Sequence, residues 1–167
     1  MNGLIESTLK TLEKTEIILD SLTNEQLRDT SIPPYFSSIG THIRHILDFY
    51  DCIFNLNADN KIDLTARSRN KKVEQDCLEA KAYLKLLINN LNTFNNHISK
   101  TVLVTDDLGQ GKIEIPYTIG ALLSQANSHT IHHYAIINYI LSGLEISITD
   151  LDFGYNPTTP KPVFFSK

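Results

Sequence analysis

Apolar residues recur with a helical period along four stretches of this chain and with a period of two along one. Ile5, Leu9, Leu12 and Leu19 make a stripe, interrupted by Glu16, that predicts an opening helix from about Asn2 to about Ser21. In "TNEQL" a threonine stands as an N-cap with Glu and Gln in the first turn, and "SIPPYF" then breaks the chain, because two prolines forbid helix continuation. Ser37 or Ser38 can cap a second long helix, from about Ile39 to Asn57, with Ile39, Ile43, Ile46, Tyr50 and Ile53 on one side. The polar stretch "NADNKIDLTARSRNKK" reads as a loop.

The third helix has the cleanest period. Val73, Cys77, Ala80, Leu84, Leu87, Leu91 and Phe94 follow heptad spacing, the signature of nearly antiparallel packing, and the helix is expected to end near His97. From about Thr101 to Tyr117 the period switches to two, which predicts a small hairpin turning at Asp107, Gly109 and Gly111. The fourth long helix starts near Thr118 and stops at Gly143, read as its C′ residue, and a Pro-rich tail follows. The pattern is that of an all-α chain with one inserted β-hairpin before the last long helix, a single domain over residues 1–167.

A chain of 167 residues buries a proper core without staples, and its formal net charge of −4 gives no electrostatic footprint for nucleic acid or an anionic membrane. "MNGLIESTLK" carries no apolar run of signal-peptide length and no 18 apolar residues follow one another, so a cytoplasmic protein is expected. The two cysteines, Cys52 and Cys77, lie in helical patterns and read as small core residues. The apolar helix faces would permit a homodimer.

Five of the six histidines fall in two of these helices: His42 and His45 in "SIGTHIRHILDFY", and His129, His132 and His133 in "NSHTIHHYAII". Residues four apart on a helix lie about 40° apart around the axis and about 6 Å along it, so His129 and His133 can grip one ion. They also continue the core-facing rhythm Leu122, Ala126, His129, His133, Ile136, Ile140. Burying an unpaired imidazole costs on the order of 1–3 kcal/mol, and a cation satisfies both lone pairs at once. The bland alternative is a pair of core-edge histidines bonded to Ser or Asn neighbours. On the second helix the wheel places His42 nearer the centre of the apolar arc than His45.

These motifs resemble the DinB/YfiT-like superfamily of metalloproteins, whose fold is an up-down-down-up four-helix bundle. "SIGTHIRHILDFY" is similar to the family's second-helix signature ending in a ligand histidine, and "HTIHH" to its His-x-x-x-His on the last long helix. The resemblance implies His45, His129 and His133 as metal ligands. More narrowly, Gly40 to Asp48, Arg67 and Arg69, His129 to Ala135, and Phe153 to Pro160 are similar to a DinB-related subgroup, from which Phe49 and Ala121 depart, where a His and an Arg are expected.

Three neutral imidazoles leave coordination positions open, as in a catalytic or substrate-binding site, and zinc, nickel or iron would each fit. "HTIHH" has no Glu, so the peptidase pattern His-Glu-x-x-His is absent, and no Glu-x-x-His pair suggests a di-iron bundle. Relatives in the superfamily include thiol-dependent transferases and isomerases. The resemblance therefore implies a metal-dependent enzyme acting on a small molecule, a thiol-linked S-transferase or a hydrolase, with a low-molecular-weight thiol as partner. The alternative is a non-catalytic metal- or ligand-binding stress-response bundle. His42, His132 and Asp48 are candidates for positions just outside the ligands or on the pocket wall. Arg44, Arg67 and Arg69 are candidates for holding an anionic group of the substrate.

Overall fold

The computed structural model describes residues 2–94 and 98–160 of a mostly helical chain. The elements run α1 (Gly3–Ser21), α2 (Asn24–Arg28), α3 (Ile39–Phe54), β1 (Lys61–Asp63), α4 (Lys71–Gln75), α5 (Cys77–Thr93), β2 (Thr101–Asp107), β3 (Lys112–Thr118) and α6 (Ile119–Gly143). The expected helix end at His97 and the last part of the tail, 161–167, lie outside the described residues.

Helix starts follow side chains able to satisfy free backbone N–H groups. The N-cap side chains of Asn2, Ser38 and Thr118 accept from the backbone N–H of Leu4, Thr41 and Ala121. At α2 the full capping box forms, with Thr23 and Gln26 bonding each other's backbone.

The long helices pack in a closed ring of neighbours: α3 on α5 and α6, α1 on α5 and α6. Each stripe predicted for α3 and α5 turns inward, with Ile39, Ile43, Ile46, Tyr50 and Ile53 meeting Ala80, Leu84, Leu87 and Leu91 in one buried cluster. The weak stripe of α1 has a physical reason. Its buried face also carries Thr8, Thr11 and Thr15, and Thr8 and Thr11 satisfy their hydroxyls on the carbonyls of Leu4 and Ser7 one turn back.

Four expectations are corrected. The third helix is not continuous: Asp76 leaves the helical region at φ −135°, ψ 120°, and its carboxylate caps α5 by accepting from Leu78 and Glu79 N–H. The second long helix ends at Phe54 rather than Asn57. The hairpin belongs to a larger sheet of order β1-β2-β3, because "KID" inside the polar loop pairs parallel with β2, Ile62 opposite Val104. Gly143 is not a left-handed C′ residue. It remains inside α6, with the side chain of Ile32 so close that an added Cβ would lie 2.9 Å from it, and the left-handed turn falls at Glu145, φ 59°. No helix among the described residues is long and apolar enough to cross a membrane.

Candidate metal centre

The packing of α3 on α6 brings the two histidine segments face to face. Nε2 of His45 lies 2.8 Å from Nε2 of His129, which in turn lies 3.1 Å from Nε2 of His133. The ligand nitrogens of these three residues all fall within 4.8 Å of one another. Nitrogens about 2.1 Å from a tetrahedral zinc stand about 3.4 Å apart, so the three rings need only small adjustments to share an ion. The donor set fits a divalent metal with open positions.

The histidines do not sit where the core stripe was expected to centre. The most buried line on α6 runs Ile119, Leu123, Ala126, Thr130, Tyr134, Ile137 and Leu141, and His129 and His133 flank it, half-buried. His42 and His45 are half-buried on α3 in the same way. A site at the edge of the core is reachable from solvent.

Burial holds the cluster in the neutral form that ligands need. It is the main cause that pushes His133 down to about 3 and His45 down to about 4, with the other histidines and, for His45, the Arg67 guanidinium adding to it. His42 and His129 are shifted down as well, first by burial and then by His132.

His42 touches the three through His133: their Nδ1 atoms are 2.9 Å apart, while Nε2 of His42 lies 2.8 Å from the Ser37 hydroxyl. His132 is exposed, its ring centroid 5.4 Å from that of His133 and 6.4 Å from that of His129. Phe49 packs its ring 5.3 Å from His129 and forms a wall, whereas Ala121 is exposed and far along the helix from the cluster. Tyr50 and Tyr134 are both buried.

Asp48 bonds no imidazole. Fully buried, it accepts from Nη1 of Arg44 at 2.6 Å, the Ser68 hydroxyl at 3.0 Å, the Arg69 backbone N–H at 3.2 Å and the Tyr83 hydroxyl at 3.3 Å. Arg44, a candidate for holding a substrate anion, donates from Nε to Glu74 at 2.5 Å as well, so its guanidinium is held between two buried carboxylates. Burial raises the Glu74 carboxyl, but its bonds to Lys71 and Arg44 outweigh this and leave it below its usual value.

This buried network fixes the segment that carries Arg67. Arg67 donates from Nη1 to Nδ1 of His45 at 2.8 Å and from Nε to the Leu64 carbonyl at 3.2 Å. Arg69, at φ 50°, leaves its side chain exposed. Glu74, Ser37, Ser68 and Tyr83 were not anticipated at the site. Only Ser37 carried a signal, lying one helical turn and a residue before His42.

No curated protein matches the chain. A family model described as the DinB superfamily matches residues 8–137, a span that holds α3, the Arg67 loop and the histidines of α6. With most of its length, candidate site included, inside that match, the chain belongs to the DinB superfamily.

Proposed function

We propose that this chain is a divalent-metal-dependent enzyme acting on a small molecule, with His45, His129 and His133 as the metal ligands in an up-down-down-up four-helix bundle. The observation that carries the reading is the convergence of three neutral imidazole nitrogens within 4.8 Å at the solvent-reachable edge of the core. A closed structural site would surround its ion with four protein ligands, whereas three imidazoles leave room for water or substrate.

The chemistry that zinc, nickel or iron supplies in such a site is polarisation of a bound water or thiol, which makes its deprotonated form accessible near neutral pH. The protein's own residues do the rest. His42 orients His133 through the Nδ1 contact, and Arg67 and Arg69 stand on the loop beside His45 to receive an anionic group. A cavity of about 580 Å³, lined by Ile32, Pro34, Tyr35, Ile136 and Tyr139 together with His42 and His132, adjoins the cluster and suits an apolar substrate body. These features suit a small molecule with an anionic group and an apolar body, and the family resemblance implies transfer of a low-molecular-weight thiol to it, with hydrolysis as the neighbouring reaction type.

The test is elemental analysis of protein purified without a histidine tag, beside the His45→Ala and His129→Ala variants, followed by assays of thiol conjugation and ester hydrolysis. One equivalent of metal in the parent chain, lost in both variants, and turnover that depends on it support the proposal. A metal-free parent chain after reconstitution overturns it.

A further inference from the structure

The hydrogen bonds of the histidine cluster have a direction, and Arg67 sets it. Arginine has donors only, so its Nη1 contact of 2.8 Å makes Nδ1 of His45 the acceptor, and the neutral ring carries its proton on Nε2. That N–H donates to Nε2 of His129, 2.8 Å away. Nε2 of His129 is thereby bare and accepting, its single lone pair taken by His45, while Nε2 of His133 stands 3.1 Å from it. Nδ1 of His133 lies 2.9 Å from Nδ1 of His42, whose Nε2 lies 2.8 Å from the Ser37 hydroxyl, a pair of bonds that can run in either direction. One guanidinium at one end thus fixes the tautomer of His45 and, through it, that of His129.

A metal held by the three Nε2 atoms requires each ring bare at Nε2 and protonated at Nδ1, the form His129 already has and the reverse of the one Arg67 imposes on His45. At the Ser37 end this demand costs nothing, since His133 can donate to His42, and His42 to Ser37, each group being able to play either role. At the other end it fails. Nδ1–H of His45 would face the N–H of Arg67, two donors with no acceptor between them.

We propose that Arg67 and the metal compete for His45, so that metal binding releases the Arg67 guanidinium to hold the anionic portion of the small-molecule ligand. The inference rests on the three-histidine metal reading above. Asp48 and Glu74, the buried carboxylates of the network beside it, are already shared by Arg44, so a released guanidinium gains from an anion that a ligand brings. Its Nε bond to the Leu64 carbonyl and the Asp48 bonds to Ser68 and Arg69 keep its root in place, beside the ion. By linkage, a ligand anion that captures Arg67 tightens metal binding, and metal tightens anion binding by the same factor.

The experiment measures zinc affinity of the full chain by competition with a chromophoric chelator, for the parent, Arg67→Met and Arg67→Gln, with circular dichroism melts to establish that each is folded. Removing the competing donor is expected to tighten zinc binding about tenfold in Arg67→Met, and Arg67→Gln should match or exceed it because an amide oxygen accepts from Nδ1–H. Long-range proton–nitrogen spectra of the metal-free parent should show the His45 proton on Nε2, a preference lost in Arg67→Met. Zinc-loaded Arg67→Met should in turn bind mercaptoacetate, a thiolate with a carboxylate, about tenfold more weakly than the zinc-loaded parent. Zinc affinity that is unchanged or weaker in both variants, or mercaptoacetate affinity that is unchanged, overturns the inference while leaving the metal site standing. Failure of the parent chain to bind zinc overturns both.

Discussion

Gly40 lies so close to the backbone of Glu74 that a Cβ built on it would sit 2.0 Å from the Glu74 carbonyl oxygen. The contact lets α4 rest directly on the start of α3, and it delivers the Glu74 carboxylate to Arg44 one turn further along the same helix. Gly40→Ala therefore has to force the two helix backbones away from each other rather than push aside a flexible side chain. We expect a loss of about 1–3 kcal/mol or more in stability, read by urea denaturation. An unchanged denaturation midpoint would show that α4 does not bear on α3 as described.

The carboxylate of Asp48 gathers Arg44, Ser68, Tyr83 and the Arg69 backbone around one buried point. Removing one partner from a buried ion pair leaves the other charge uncompensated, at about 3–5 kcal/mol. Asp48→Ala should lose stability on that scale. Asp48→Asn, which keeps one acceptor oxygen, should lose less, and both should loosen the loop that presents Arg67, seen as faster amide exchange across Ser68 and Arg69. Slow exchange in a folded Asp48→Ala variant would count against this role.

The histidine cluster makes the metal-free fold sensitive to acid. His45 and His133 titrate at about 4 and about 3 in the fold, below the ordinary 6.5, so below pH 6.5 the unfolded chain binds protons that the fold does not. Their contribution is complete above pH 6.5 and is lost as the pH falls toward 4. The melting temperature of chelator-treated protein should drop between pH 7 and pH 4.5. A His45→Gln, His133→Gln double variant should show a shallower drop, and parallel curves for the two proteins would contradict the assignment.

Much of the cluster was legible because its cause is local. A four-residue spacing puts His129 and His133 on one helix face whatever the tertiary context, and "SIGTHIRH" pairs a histidine segment with a helix start at Ser37 or Ser38, of which Ser38 is the cap. The break at Asp76 was also written locally, as an Asp with a Glu three residues on, but a continuous heptad rhythm through Cys77 and Ala80 masked it. What the sequence hid depends on distant partners. Three residues of β1 become a strand only because β2, forty residues later, offers a parallel edge, and Asp48 faces a loop rather than an imidazole because α4 and α5 fold back over α3. The histidines sit beside the core stripe rather than on it because Thr130 and Tyr134 fill its centre, a line hidden from the sequence by a threonine that a hydrophobic count passes over.

The tail offers a test of whether stability and metal binding are separable. Phe153 is fully buried and stacks on Tyr134 with ring centroids 4.6 Å apart, while Gly154, at φ 81°, passes so near Ala135 that a Cβ would come within 2.9 Å of its Cα. Lys14 pairs with Asp150 at 2.5 Å and so ties the same segment to α1. These contacts lie on the face of α6 that carries Tyr134, turned away from the line of His129 and His133. Phe153→Ala should lose about 3–5 kcal/mol by leaving a cavity against Tyr134, and Gly154→Ala should strain both the turn and the close approach. Zinc affinity should stay within a factor of two or so of the parent in any variant that remains folded, as expected when sites share no contacts. A folded Phe153→Ala chain that binds zinc much more weakly would mean that the tail holds α6 in the register the histidines need, and that the two faces of this helix act as one.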